Sequence, residues 1–127
     1  MMKPLCVTRI TFALFLLLIA GLGCKKDVPP PTVLPVDQFA ATFNKAFAGA
    51  KAEAKDLAAQ IVTAVQAQEY SKAFTQLQSL TSVPGLTKDQ QSVLARALLT
   101  VNDLLAAAQS QGDQKAAQTI QTYQRNR

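Results

Sequence analysis

The chain has 127 residues, with 13 Lys and Arg against 8 Asp and Glu, a formal net charge of +5 and no histidine or tryptophan. This length suits one modest domain. The basic excess is small and spread along the chain without a block of like charges, which argues against a nucleic-acid-binding protein.

The first residues have the composition of an export signal. Lys3 and Arg9 form a basic start, and an uncharged apolar run follows over residues 10–20 (ITFALFLLLIA). Such a run has the length of a signal-peptide core. It is too short for a membrane span, which needs about 20 apolar residues to cross a bilayer core of about 30 Å. We therefore interpret residues 1–23 as a secretory signal peptide.

The signal ends in Gly21, Leu22, Gly23 and Cys24. This segment resembles the lipobox of bacterial lipoproteins, in which a diacylglyceryl group is attached to the cysteine and the chain is cut just before it. The resemblance implies cleavage between Gly23 and Cys24, lipidation of Cys24 with fatty acyl chains such as palmitate, and a place in the cell envelope. The alternatives are an ordinary secretory signal and an uncleaved anchor that contain a cysteine by chance.

Two neighbouring features bear on the mature protein. Cys6 lies in the segment to be removed, so the mature chain would have a single cysteine and no internal disulfide. In enterobacterial lipoproteins an aspartate directly after the cysteine favours the inner membrane. Lys25 stands there in this chain, so the resemblance favours the outer membrane, with the protein facing the periplasm.

Residues 24–36 combine Cys24 with a proline-rich segment (KKDVPPPTVLPV). Prolines favour an extended polyproline conformation over a helix. At about 3.1 Å per residue, such a linker would hold a following domain roughly 35 Å from the lipid. We expect a stalk.

Residues 37–127 are rich in alanine and glutamine, two good helix formers. Asp37 is a candidate N-cap for a first helix over 38–67, whose apolar stripe begins with Phe39, Phe43 and Phe47. Gly49 lies inside this stretch and is expected to bend or split it.

Three further helices follow from local signals. A second is predicted over 69–82, ended by Pro84 and Gly85. Thr87 and Gln90 have the spacing of a capping box, and Asp113 is placed to cap a fourth helix. The fold class is therefore all-α, a small array or bundle of about four helices in two hairpins over 37–127. The hairpins are weakly similar to tetratricopeptide-type repeats, with Tyr70, Ala73, Leu77 and Leu80 near the second-helix spacing of that family.

Groups that perform chemistry are scarce. Without histidine, and with its one mature cysteine lipidated, the chain lacks the commonest general base, the usual zinc ligands and a thiol nucleophile. It contains no glycine-rich phosphate loop or nucleophile elbow. We expect no enzyme, no cofactor, no metal and no small-molecule substrate.

The remaining hypotheses concern partners. Phe39, Phe43 and Phe47 stand one helical turn apart and are either an exposed face for a partner or, as we favour, core side chains. Our main hypothesis is a membrane-anchored protein-interaction module with an envelope protein as partner. The alternative is a structural envelope protein that self-associates. Disruption of membranes by the helices themselves is a third idea, disfavoured by polar faces rich in glutamine rather than lysine.

Overall fold

A computed structural model describes residues 29–127, and the structural statements below refer to that part of the chain. Five α-helices and no strand occur in it, which confirms the all-α class. The helices are α1 (Val36–Phe47), α2 (Ala52–Gln66), α3 (Tyr70–Thr81), α4 (Lys88–Ser110) and α5 (Gln114–Arg125). The compact unit is Pro31–Arg127.

The first predicted helix is split into two, so the described residues form five helices where about four were expected. Its hydrogen bonding is interrupted around Gly49. In a continuous helix the carbonyl of Ala46 would accept the N–H of Ala50, but it accepts Nε2 of Gln90 at 3.2 Å. The Ala50 N–H donates to Phe47 instead. A glycine with low helix propensity and a competing donor from α4 therefore end α1 here.

The predicted caps have mixed outcomes. The capping box of Thr87 and Gln90 is confirmed, with reciprocal hydrogen bonds of 3.1 and 3.0 Å. Asp113 is also confirmed, since its carboxylate accepts the N–H groups of Lys115 and Ala116. Asp37 was wrong as an N-cap. Because α1 already begins at Val36, Asp37 lies in the first turn and makes no capping bond, although its charge still complements the helix dipole.

Each helix packs on the next along the chain, and α1 also packs on α4. Six of the 19 buried apolar residues that form the described core are alanines, among them Ala54, Ala58, Ala73 and Ala97. Small side chains let the helix backbones approach closely, so the larger groups fill the remaining space. The largest fully buried side chains are Leu34, Phe39, Phe43, Phe47, Ile61, Leu77, Leu80 and Leu105.

The two hairpins α2–α3 and α4–α5 turn in the same way. In each, the residue after the helix C-cap has positive φ, +60° at Gln68 and +92° at Gly112. The N–H groups of this residue and of the one after it bond back across the helix end in the Schellman pattern. These bonds run from Gln68 to Val65, Glu69 to Ala64, Gly112 to Gln109 and Asp113 to Ala108.

Gln68 occupies a left-handed conformation that costs a side-chain-bearing residue about 1 kcal/mol more than glycine. We expect Gln68→Gly to raise the free energy of unfolding by about that amount and Gly112→Ala to lower it by a similar amount. A Cβ on Gly112 would meet no atom within 4 Å. The loss of stability in Gly112→Ala therefore reports backbone strain alone, without a steric clash. Urea unfolding followed by circular dichroism measures both changes, and equal signs for the two variants would contradict this account.

The end of the predicted linker is fixed to α4. Leu34 is 1% exposed, and the Thr100 hydroxyl accepts its N–H at 3.0 Å and donates to its carbonyl at 2.7 Å. The Thr100 side chain thus satisfies both backbone groups of Leu34, as a neighbouring β-strand would. Nearby, Nε of Arg96 donates to the carbonyl of Thr32 at 3.1 Å. The chain therefore joins the domain from Thr32 onward, before α1 begins.

Thr100→Val keeps the shape of the side chain and removes the hydroxyl, which leaves the buried backbone groups of Leu34 without a partner. Each such group costs about 1–3 kcal/mol, so the free energy of unfolding should fall by at least that amount. Thr63→Val is the matched control, because the exposed Thr63 hydroxyl bonds only its own helix at Ala59. Equal urea midpoints for the two variants would refute the role given to Thr100.

Candidate functional site

The sites predicted from sequence fall in two places. Gly23 and Cys24 lie outside the described residues. Phe39, Phe43 and Phe47 are at most 1% exposed. The Phe39 and Phe43 rings stack with centroids 5.3 Å apart, and the Phe43 and Phe47 rings are tilted by 31° with centroids 4.9 Å apart. The core-packing interpretation is confirmed, and the interaction-face interpretation is wrong for these rings, because a core poor in bulky side chains takes all three.

A groove between α3 and α5 is lined mainly by polar side chains. It has a volume of about 580 Å³. From α3 it takes residues at helical spacing along one face, namely Ser71, Phe74, Thr75 and Gln78. From α5 it takes Lys115, Gln118, Thr119, Thr122, Tyr123 and Asn126. Hydroxyl and amide groups therefore line both walls.

Two aromatic rings lie at one end of the groove. Phe74 is buried and Tyr123 meets it at a right angle, with ring centroids 5.2 Å apart. The guanidinium of Arg127 lies 5.4 Å from the centroid of the Tyr123 ring, in cation–π contact. This cluster connects the end of α5 to α3 and leaves the polar side chains between the helices open to solvent.

The charges around the groove are mostly positive. Neither α3 nor α5 contains an acidic residue, whereas Lys72, Lys115, Arg125 and the following Arg127 are cationic. The nearest acids lie in the preceding turns. Glu69 pairs with Lys72 at 3.4 Å, and the Asp113 carboxylate caps α5. The groove is therefore positively polarised at low ionic strength.

The α5 wall is lightly attached. Ala116 is the one fully buried side chain of this helix, and Ile120 is half-buried. Elements with so little buried apolar surface move most readily on a folded scaffold. We therefore expect α5 to be the helix of lowest local stability in the described part of the chain.

In residues 29–127 no group of three or more acidic, histidine or cysteine side chains is placed to hold a metal ion. Nor is any helix in this part of the chain both long enough and apolar enough to span a bilayer.

Comparisons with models of protein families, with curated proteins and with solved structures found no match for this chain.

Sequence reasoning missed the groove. Its α3 wall carries a signal, since Ser71, Thr75 and Gln78 recur on one helical face. By itself, this pattern of polar residues indicates only a helix face in contact with solvent. The groove exists because α5 lies across from it, and no short-range pattern encodes the separation between α3 and α5.

Proposed function

We propose that this protein is a lipid-anchored helical interaction module of the bacterial cell envelope, and that it holds a protein partner in the groove between α3 and α5. The main support is the set of polar groups lining this groove on both walls. Side chains that contribute little to the core and converge on one concavity are available for recognition. The proposed role is non-catalytic, since residues 29–127 contain no histidine or cysteine.

The proposed anchor is the lipid on Cys24, with the outer membrane facing the periplasm as the favoured location. Two or three acyl chains contribute about 0.8 kcal/mol per buried methylene, which holds a protein on a membrane persistently. Because the Thr32 carbonyl accepts a hydrogen bond from Arg96, the proposed stalk ends before Thr32 and is shorter than the whole proline-rich segment would allow.

The anchor is tested by mass spectrometry of the protein purified from membranes. The mature chain is expected to begin at Cys24 and to carry a diacylglyceryl thioether. Cys24→Ser should abolish both the added mass and the cleavage, because serine has no thiol to be modified. Cys6→Ser is the control and should leave the mature mass unchanged, since Cys6 lies in the removed segment. A Cys24→Ser protein cut at the same bond without lipid would indicate an ordinary secretory signal.

The groove is tested by site-specific photocrosslinking in the cells that produce the protein. A photoreactive amino acid at Thr122, in the groove, should form an adduct with another protein. The same group at Gln124 should not, because Gln124 is exposed on the same helix outside the groove. Equal crosslinking at both positions, or at neither, would contradict the proposal. An adduct of two copies of this chain would instead support the structural, self-associating alternative.

A further inference from the structure

We propose that the groove between α3 and α5 binds an extended, acidic peptide segment. The inference rests on the proposed function, that the groove is the partner site, and adds the chemistry of the ligand. Three observations carry it: the length of the groove, its side-chain amides and the sign of its charge.

The length of the groove fits a short extended peptide. The α5 wall runs from Lys115 to Asn126, and at a rise of 1.5 Å per residue this is roughly 16 Å. An extended chain spans about 3.3 Å per residue, so about five residues would lie along the wall.

The amides match a peptide backbone. Gln78, Gln118 and Asn126 are spread along the groove, and each side chain offers one acceptor and an NH₂ donor. A peptide unit presents the complementary N–H and C=O groups. Within residues 29–127 none of these three side-chain amides forms a hydrogen bond to another protein group. They are therefore free to pair with a ligand backbone.

The charge selects acidic side chains. Lys115 lies toward the start of α5 and Arg127 lies beyond its end, next to the Tyr123 ring. No carboxylate lines the groove between them. A basic peptide would meet mostly like charges, since Glu69 pairs with Lys72 and Asp113 caps α5, whereas glutamates or aspartates spaced along a five-residue segment can approach both cations.

An acidic peptide fits these walls better than an acidic polysaccharide. Recognition of sugar rings commonly uses an open aromatic face as a stacking surface. Phe74 is only 4% exposed, and Arg127 already lies over the Tyr123 ring. The groove presents amides, hydroxyls and cations more than aromatic surface.

The test uses the full lipidated chain in an uncharged detergent and three fluorescent eight-residue peptides, alternating Ser with Glu, Gln or Lys. Fluorescence anisotropy should show tightest binding of the Glu peptide, weakening with added salt because exposed charges are screened. Equal affinity for the three peptides would overturn the inference. Unlabelled polygalacturonate is added as competitor, and if it binds more tightly than the Glu peptide the ligand class is an acidic polysaccharide and the peptide inference is wrong.

Variants locate the binding. Gln118→Leu and Lys115→Gln should each weaken binding of the Glu peptide about fivefold, the equivalent of one lost hydrogen bond or charge pair. Gln124→Leu on the same helix and Lys45→Gln on α1 are matched controls, since both positions are exposed and lie outside the groove. Losses of equal size in the control variants would overturn the inference by showing nonspecific attraction.

The two proposals can fail separately. If a photoreactive group at Thr122 captures a partner in cells but the Glu peptide does not bind, the groove is the partner site and its ligand is not an acidic peptide. If the Glu peptide binds with the expected variant pattern while Thr122 captures nothing, the ligand inference stands and the envelope interaction falls.

Discussion

The packing of the domain depends on a limited number of large side chains. Six of the 19 buried apolar residues in the described part of the chain are alanines, which bring backbones close together but bury little apolar surface each. Three phenylalanines on one short helix supply much of the missing volume, and their rings keep α1 against α2 and α4. The same scarcity explains why Leu34, from outside the helices, is recruited into the core. It also explains why α5, with only Ala116 fully buried, remains at the margin.

What could be predicted from sequence was local. The caps at Thr87 and Asp113 involve partners within three residues, so their chemistry is visible in a short window. The helical class follows from composition and periodicity. The break after α1 depends on Gln90 bonding Ala46 across 44 positions, and the docking of Leu34 depends on Thr100 across 66. Contacts between residues so far apart in the chain cannot be predicted from a local sequence pattern, because they form only in the folded domain. The burial of the three phenylalanines could also be predicted, because the sequence offers few other large side chains to fill a core.

The residues of the candidate site differ from those of the core and the caps, because the stability of the fold does not account for them. Core positions are explained by packing, and the caps by orphan backbone groups. The side-chain amides between α3 and α5 are explained by neither. Both hairpins turn through the same Schellman geometry, yet only the second leaves its outgoing helix with so little buried surface. The polar side chains of the groove therefore lie between the well-buried helix α3 and the least buried helix, α5.

The bond between Thr100 and Leu34 has a mechanical consequence. When the chain is held at its start and pulled at the groove, the load enters the domain at Thr32 and Leu34 and passes directly to the middle of α4. It bypasses α1, whose short aromatic helix would otherwise be peeled away first. The two hydrogen bonds to one hydroxyl, with Leu34 seated in the core, resist that load together. Tension from a tethered partner is therefore borne by the longest helix of the domain.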